Sequence, residues 1–159
     1  MTRRDPRGFT LVELCLVMVI ASILLRFAVP AYRSIVNNAR AVQAINNMNV
    51  VREAAVAYYA AHGTWPAEAS SAVIPAGLAP YLPSGYTFSK PHYQLDWENW
   101  TLPSGLPSNP GPTVLIGVSV VTTDPLLGNQ VLRLVSKSNP SLTSADHYTM
   151  LMASTSDGL

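Results

Sequence analysis

From Phe9 to Val29 the chain is apolar at almost every position, with Thr10, Glu13, Ser22 and Arg26 as the exceptions. No other feature constrains the fold as strongly. As a helix this stretch is roughly 31 Å long at 1.5 Å per residue, which matches the hydrocarbon thickness of a bilayer. It is expected to cross a membrane once. Arg3, Arg4 and Arg7 stand immediately upstream, and clustered basic residues mark the cytoplasmic end of a span. Arg26 lies near the far end, where a long side chain reaches the headgroups. The bulk of the chain is then expected on the outer side.

An ordinary secretory signal is cut after its apolar region, at small residues of A-x-A type. Ala28-Val29-Pro30-Ala31 offers no such site, and the conspicuous small residue, Gly8, precedes the apolar run. Gly8 and Phe9, the stretch Thr10-Leu11-Val12, and Glu13 as the fifth residue after that glycine closely resemble the motif of the type IV pilin-like family, which includes type IV pilins and the pseudopilins of type II secretion. Pro30 also falls at a common family position. The resemblance is strong from Gly8 to Pro30, moderate to about Pro66 and weak beyond. It implies an α+β pilin-like fold, a long N-terminal helix packed on a small antiparallel sheet. It implies a leader over residues 1–8, cleavage between Gly8 and Phe9 by a prepilin peptidase, and N-methylation of Phe9. It places the chain in the bacterial inner membrane with its N-terminus cytoplasmic and its C-terminal domain periplasmic or extracellular. The implied partners are further pilin-like subunits, the peptidase, an inner-membrane assembly platform and lipid.

Glu13 is the residue that a passive anchor would not carry. A carboxylate among lipid tails costs a few kcal/mol or more, so an intramembrane acid calls for a functional partner. Cleavage creates one, the amine of Phe9, and in the family this glutamate is taken to meet that amine on a neighbouring subunit during assembly. The blander alternatives are a hydrated, shallow Glu13 or pairing within its own chain. Pro30 cannot donate a hydrogen bond and crowds the carbonyl of Arg26, so a kink or local opening is expected there.

Net charge is +1 for the whole chain. Removing residues 1–8 takes out Arg3, Arg4, Arg7 and Asp5, which leaves −1. From Gly63 onward, Lys90, Arg133 and Lys137 face six acids, a balance of −3. Such a head lacks the basic footprint that would neutralise phosphates, and nucleic acid is not an expected partner. The lone cysteine, Cys15, sits in the apolar run; it reads as a small hydrophobe, and no intramolecular disulfide is available. The head must therefore be held by packing or by a bound ion. Enzyme chemistry finds no foothold. His62, His92 and His147 show no metal-ligand spacing, and neither a phosphate loop nor a serine elbow is present. No cofactor is expected. Asp124, Asp146 and Asp157 lack the close spacing of calcium loops, so calcium is unsupported.

Beyond Pro30, Ala41, Ile45, Met48, Val51, Ala55 and Tyr58 recur at steps of three and four, one face of a helix. His62, Gly63 and Pro66 supply stop signals. The domain organisation read from this is a membrane-spanning half at 9–29 and an extracytoplasmic domain at 30–159, with helix to about 62, loop over 63–91 and sheet over 92–159. A piece starting near Ser34 is expected to fold alone. The strand expectations are His92–Trp97, Val114–Thr122 and Val131–Val135, the last two joined as a hairpin through a turn at 123–129, with Tyr148–Met152 as a final edge strand. The aromatic residues from Trp65 to Trp100 read as core and edge packing. The leading function is a structural subunit of a pilus-like filament or secretion pseudopilus. The alternatives are a membrane-tethered binding module for glycan or secreted substrate, which would need Trp97 and Trp100 exposed together, and a minor pilin in adhesion or DNA uptake.

Overall fold

The computed structural model describes residues 9–101 and 114–155. Its elements in chain order are α1 (Leu11–His62), a single 3₁₀ turn (Ala79–Tyr81), β1 (Gln94–Thr101), β2 (Val114–Val121), α2 (Pro125–Val135), β3 (Ser141–Ser144) and β4 (His147–Thr155). The fold is α+β, with part of a long N-terminal helix against a small antiparallel sheet. The expected leader at residues 1–8, with Gly8, and the Pro-rich stretch 102–112 lie outside the described residues.

The chain divides into two units, residues 1–36 and 37–159. In the first, α1 is helical from Leu11 onward with Pro30 inside it. Its apolar side chains are uncovered: Phe9 is 79% exposed, Met18 62% and Phe27 74%. Among the described residues, α1 is the one helix long and apolar enough to cross a membrane.

In the second unit the same helix changes character. Ala41, Ala44, Met48, Val51, Ala54 and Ala55 are buried along one stripe. Four of these six are alanines, small enough to let a sheet come close. The helix ends at His62, and Gly63 turns the chain with a φ of +71°, a conformation that glycine adopts without a Cβ penalty.

The sheet order is β1-β2-β4-β3, antiparallel throughout. Strand alternation sends Leu95, Trp97, Ile116, Val118, Val120, Tyr148 and Met150 to the face that shares a core with α1 and α2. Trp97 is fully buried, and its indole N–H donates to the carbonyl of Pro66 at 3.0 Å. Asn99 donates to that same carbonyl at 2.8 Å, so the chain leaving α1 is pinned to β1. Phe88 and Tyr93 are also buried, as expected for these aromatic residues. Trp97 is therefore not available for the exposed pair with Trp100 that the binding-module alternative requires.

Two strand expectations are corrected. Val131–Val135 is the end of helix α2, and 123–129 is the start of that helix, not a hairpin turn. Asp124 is its N-cap: Oδ1 accepts from the amides of Leu126 at 2.9 Å and Leu127 at 3.4 Å, with Pro125 in the first turn. Asp-Pro at a helix start is a capping signature as well as a turn signature. Leu127, Val131 and Val135 are then buried at helical spacing of four. The apparent alternation around Arg133 is what a five-residue window of such a helix also shows. The second correction concerns position: β4 lies between β2 and β3, and the short strand Ser141–Ser144 takes the edge.

Candidate functional site

Two places concentrate chemistry. The first is the start of α1. Thr10 precedes the helix, and its amide and hydroxyl both donate to Oε2 of Glu13, at 2.9 and 2.7 Å. The Glu13 amide in turn lies 3.3 Å from the Thr10 hydroxyl. This is a capping box, in which the residues at the cap and three positions on satisfy each other's orphan groups. Thr10-x-x-Glu13 ahead of an apolar run carries that signature in the sequence. The box gives the carboxylate hydrogen bonds within its own chain. Phe9, Glu13 and Pro30 all occupy the uncovered apolar unit, and Cys15 is exposed there as well.

The second place is the far face of the sheet. β1 directs Asp96 and Glu98 away from Trp97, and both are nonetheless buried, at 6% and 3% exposure. Carboxylates this deep are rare unless paired. Ser119 of β2 sits opposite Asp96, and Thr149 of β4 opposite Ser119. The Ser119 hydroxyl donates to Oε1 of Glu98 at 2.5 Å and lies 2.7 Å from the Thr149 hydroxyl. Ser71 donates to Oδ2 of Asp96 at 2.5 Å. Glu68 accepts from the Asn99 amide at the rim.

His147 opens β4 beside this group. The β3–β4 connection is two residues, Ala145 with φ +50° and then Asp146. Asp146 Oδ1 lies 2.9 Å from His147 Nδ1, while Nε2 faces Asp96 Oδ2 at 3.6 Å. Among the described residues, His147 is the basic side chain that reaches Asp96. Burial raises the carboxyl of Glu98, opposed by the Ser119 hydrogen bond and reinforced by Asp96 and Glu68. Burial likewise raises Glu68, opposed by the Asn99 amide and reinforced by Asp96.

Ligand atoms of Asp96, Glu98 and His147 lie within 4.8 Å of one another. Sequence spacing could not show this grouping. Asp96 and Glu98 are two apart on one strand, whereas His147 comes from a strand that is not even the neighbour of β1. The pattern Leu95-Asp96-Trp97-Glu98 did hold a local signal, an acid at each alternate position of an apolar strand. His62 is at the end of α1, stacked on Tyr58, and has no part in the group.

Comparison with known proteins bears on the first of these places. The prokaryotic N-terminal methylation motif matches residues 3–25. Fimbrial protein EcpC of Eikenella corrodens is 37% identical over 76 residues, covering 48% of this chain and 50% of that protein. Type IV major pilin protein PilE of Neisseria gonorrhoeae is 39% identical over 66 residues, covering 42% and 40%. Over its N-terminal part this chain is similar to type IV pilins. A fimbrial protein of Neisseria meningitidis serogroup A gives the same 39% over 66 residues, covering 42% of this chain and 39% of its own length. The match thus spans half or less of the length of these pilin relatives. No solved structure matches.

Proposed function

We propose that this protein is a structural, non-enzymatic subunit of a type IV pilus-like filament. A prepilin peptidase cuts it between Gly8 and Phe9, the Phe9 amine is methylated, and the chain waits in the inner membrane as a single-pass protein with its head outside. An assembly platform then draws it into the filament, where the apolar half of α1 packs against other subunits. The observation that carries this reading is the uncovered apolar helix, interrupted by one acid, Glu13, within the residues that match the methylation motif. Each exposed Leu, Ile or Val on it stands to gain about 1.5–3 kcal/mol on leaving water. Lipid supplies that cover before assembly, and neighbouring helices supply it afterwards.

The names of the matched relatives favour a pilus over a secretion pseudopilus. Pairing of Glu13 with the Phe9 amine of a neighbour replaces or supplements the capping bonds from Thr10. Glu13→Ala is expected to leave processed protein in the membrane but out of sheared filaments. Glu13→Gln keeps an acceptor for the cap and removes the charge. Filaments at wild-type level in both variants would rule out the assembly role of this carboxylate.

A further inference from the structure

We propose that Asp96, Glu98 and His147 bind a divalent transition-metal cation of the zinc class, tying β1 to β4 across β2. Asp96 is nine-tenths buried, and its Oδ1 has no hydrogen-bond partner among the described residues. Its other oxygen is held by Ser71. A buried carboxylate oxygen left bare is costly and points to a cation that the protein's own donors do not supply.

The three side chains are oriented as ligands are. Glu98 is fixed through Oε1 by Ser119. His147 is fixed through Nδ1 by Asp146, which leaves Nε2 directed at Asp96. A histidine held by a carboxylate through one nitrogen, with the other turned to an acidic pair, is the arrangement that outer-sphere carboxylates impose on zinc-bound imidazoles. The 3.6 Å between Nε2 and the Ser71-bound Oδ2 sets the imidazole beside the carboxylate whose other oxygen, Oδ1, is bare; ligand atoms of a tetrahedron with bonds of about 2.1 Å stand roughly 3.4 Å apart. The set as a whole, within 4.8 Å, needs a contraction on the order of 1 Å to reach that geometry. An imidazole nitrogen with two carboxylates suits zinc or a neighbouring transition ion and not calcium, which takes oxygen. His147 is about one-third exposed on its side chain, at 32%, so an ion has a way in. With a single cysteine in the chain, such an ion would provide the cross-strand link that no internal disulfide can.

The test uses the full chain, purified in detergent and stripped with a chelator, then equilibrated with zinc chloride or calcium chloride. Bound metal is measured by elemental analysis and stability by thermal unfolding. The expected result is one zinc per chain and a higher melting temperature with zinc than with calcium. Both effects should vanish in His147→Gln and in Asp96→Asn, and Asp146→Asn should weaken binding about 10- to 100-fold. Tryptophan emission matching the wild type shows that a variant is folded, and Asp96→Asn keeps the shape of the site if His147→Gln fails that check. No zinc above a detergent blank, or zinc retained at wild-type level in folded His147→Gln or Asp96→Asn, would overturn the proposal.

Discussion

Gly128, inside α2, is a position where two physical effects oppose each other with known sizes. Replacing glycine by alanine within a helix ordinarily stabilises by about 1 kcal/mol. Here a β-carbon on Gly128 would lie 2.0 Å from Cζ of Tyr148, 2.1 Å from Cε2 and 2.4 Å from the hydroxyl. Carbon atoms in contact sit about 3.5–4.0 Å apart, so the ring would have to retreat by roughly 1.5 Å. It has little freedom to do so. Tyr148 is only 7% exposed, and β4 is paired on both sides, to β2 and β3. Overpacking of this kind costs typically 1–3 kcal/mol, so at the middle and top of that range it exceeds the helical gain. Gly128→Ala is therefore expected to destabilise the head by about 1 kcal/mol net, a fall in melting temperature on the order of 4 °C. All three tryptophans lie beyond α1, so fluorescence-detected melting of the detergent-solubilised chain reads the head. In a Tyr148→Ala background the same substitution should turn stabilising, because the obstructing ring is gone. A higher melting temperature for Gly128→Ala with Tyr148 in place would refute the packing of α2 on β4 described above.

Asp124→Ala removes the cap of α2 and should cost about 1 kcal/mol in the same melting assay; no change would mean that the helix start is held otherwise. Burial, with the neighbouring Tyr93 adding to it, pushes the Tyr86 phenol up to about 12, while its hydroxyl donates to the Asn47 carbonyl at 3.0 Å. A folded-state value above the unfolded one means that the unfolded chain loses the proton first. The contribution of Tyr86 is thus full below pH 10 and declines as pH rises towards 12. Tyr86→Phe should be less stable than wild type at neutral pH and should close that gap between pH 10 and 12; a gap independent of pH would exclude the titration.

The fold class was legible because its main determinants are local. An apolar run of membrane length, and after it a stripe of Ala41, Met48, Val51 and Ala55 at helical spacing, are read without knowing any partner. β2 announced itself by β-branched residues buried along most of the strand. α2 did not, because Asp124-Pro125 serves equally as turn or cap, and five residues around Arg133 fit either period. The placement of β4 inside the sheet depends on a pairing with β2 that skips over α2 and β3, which sequence order hides. The cluster of Asp96, Glu98 and His147 was hidden for the same reason: its members meet through strand topology. At the N-terminus Thr10-x-x-Glu13 carries a capping-box pattern as well as part of a processing motif, and the charge of Glu13 is the more conspicuous of the two signals.

The central claim is that Glu13 acts against an amine created at Phe9. Intact-mass and N-terminal fragment analysis of the protein recovered from cell membranes tests it most directly. The expected species begins at Phe9 and carries one added methyl on its amino group. A chain beginning at Met1, or starting beyond Pro30, would contradict it.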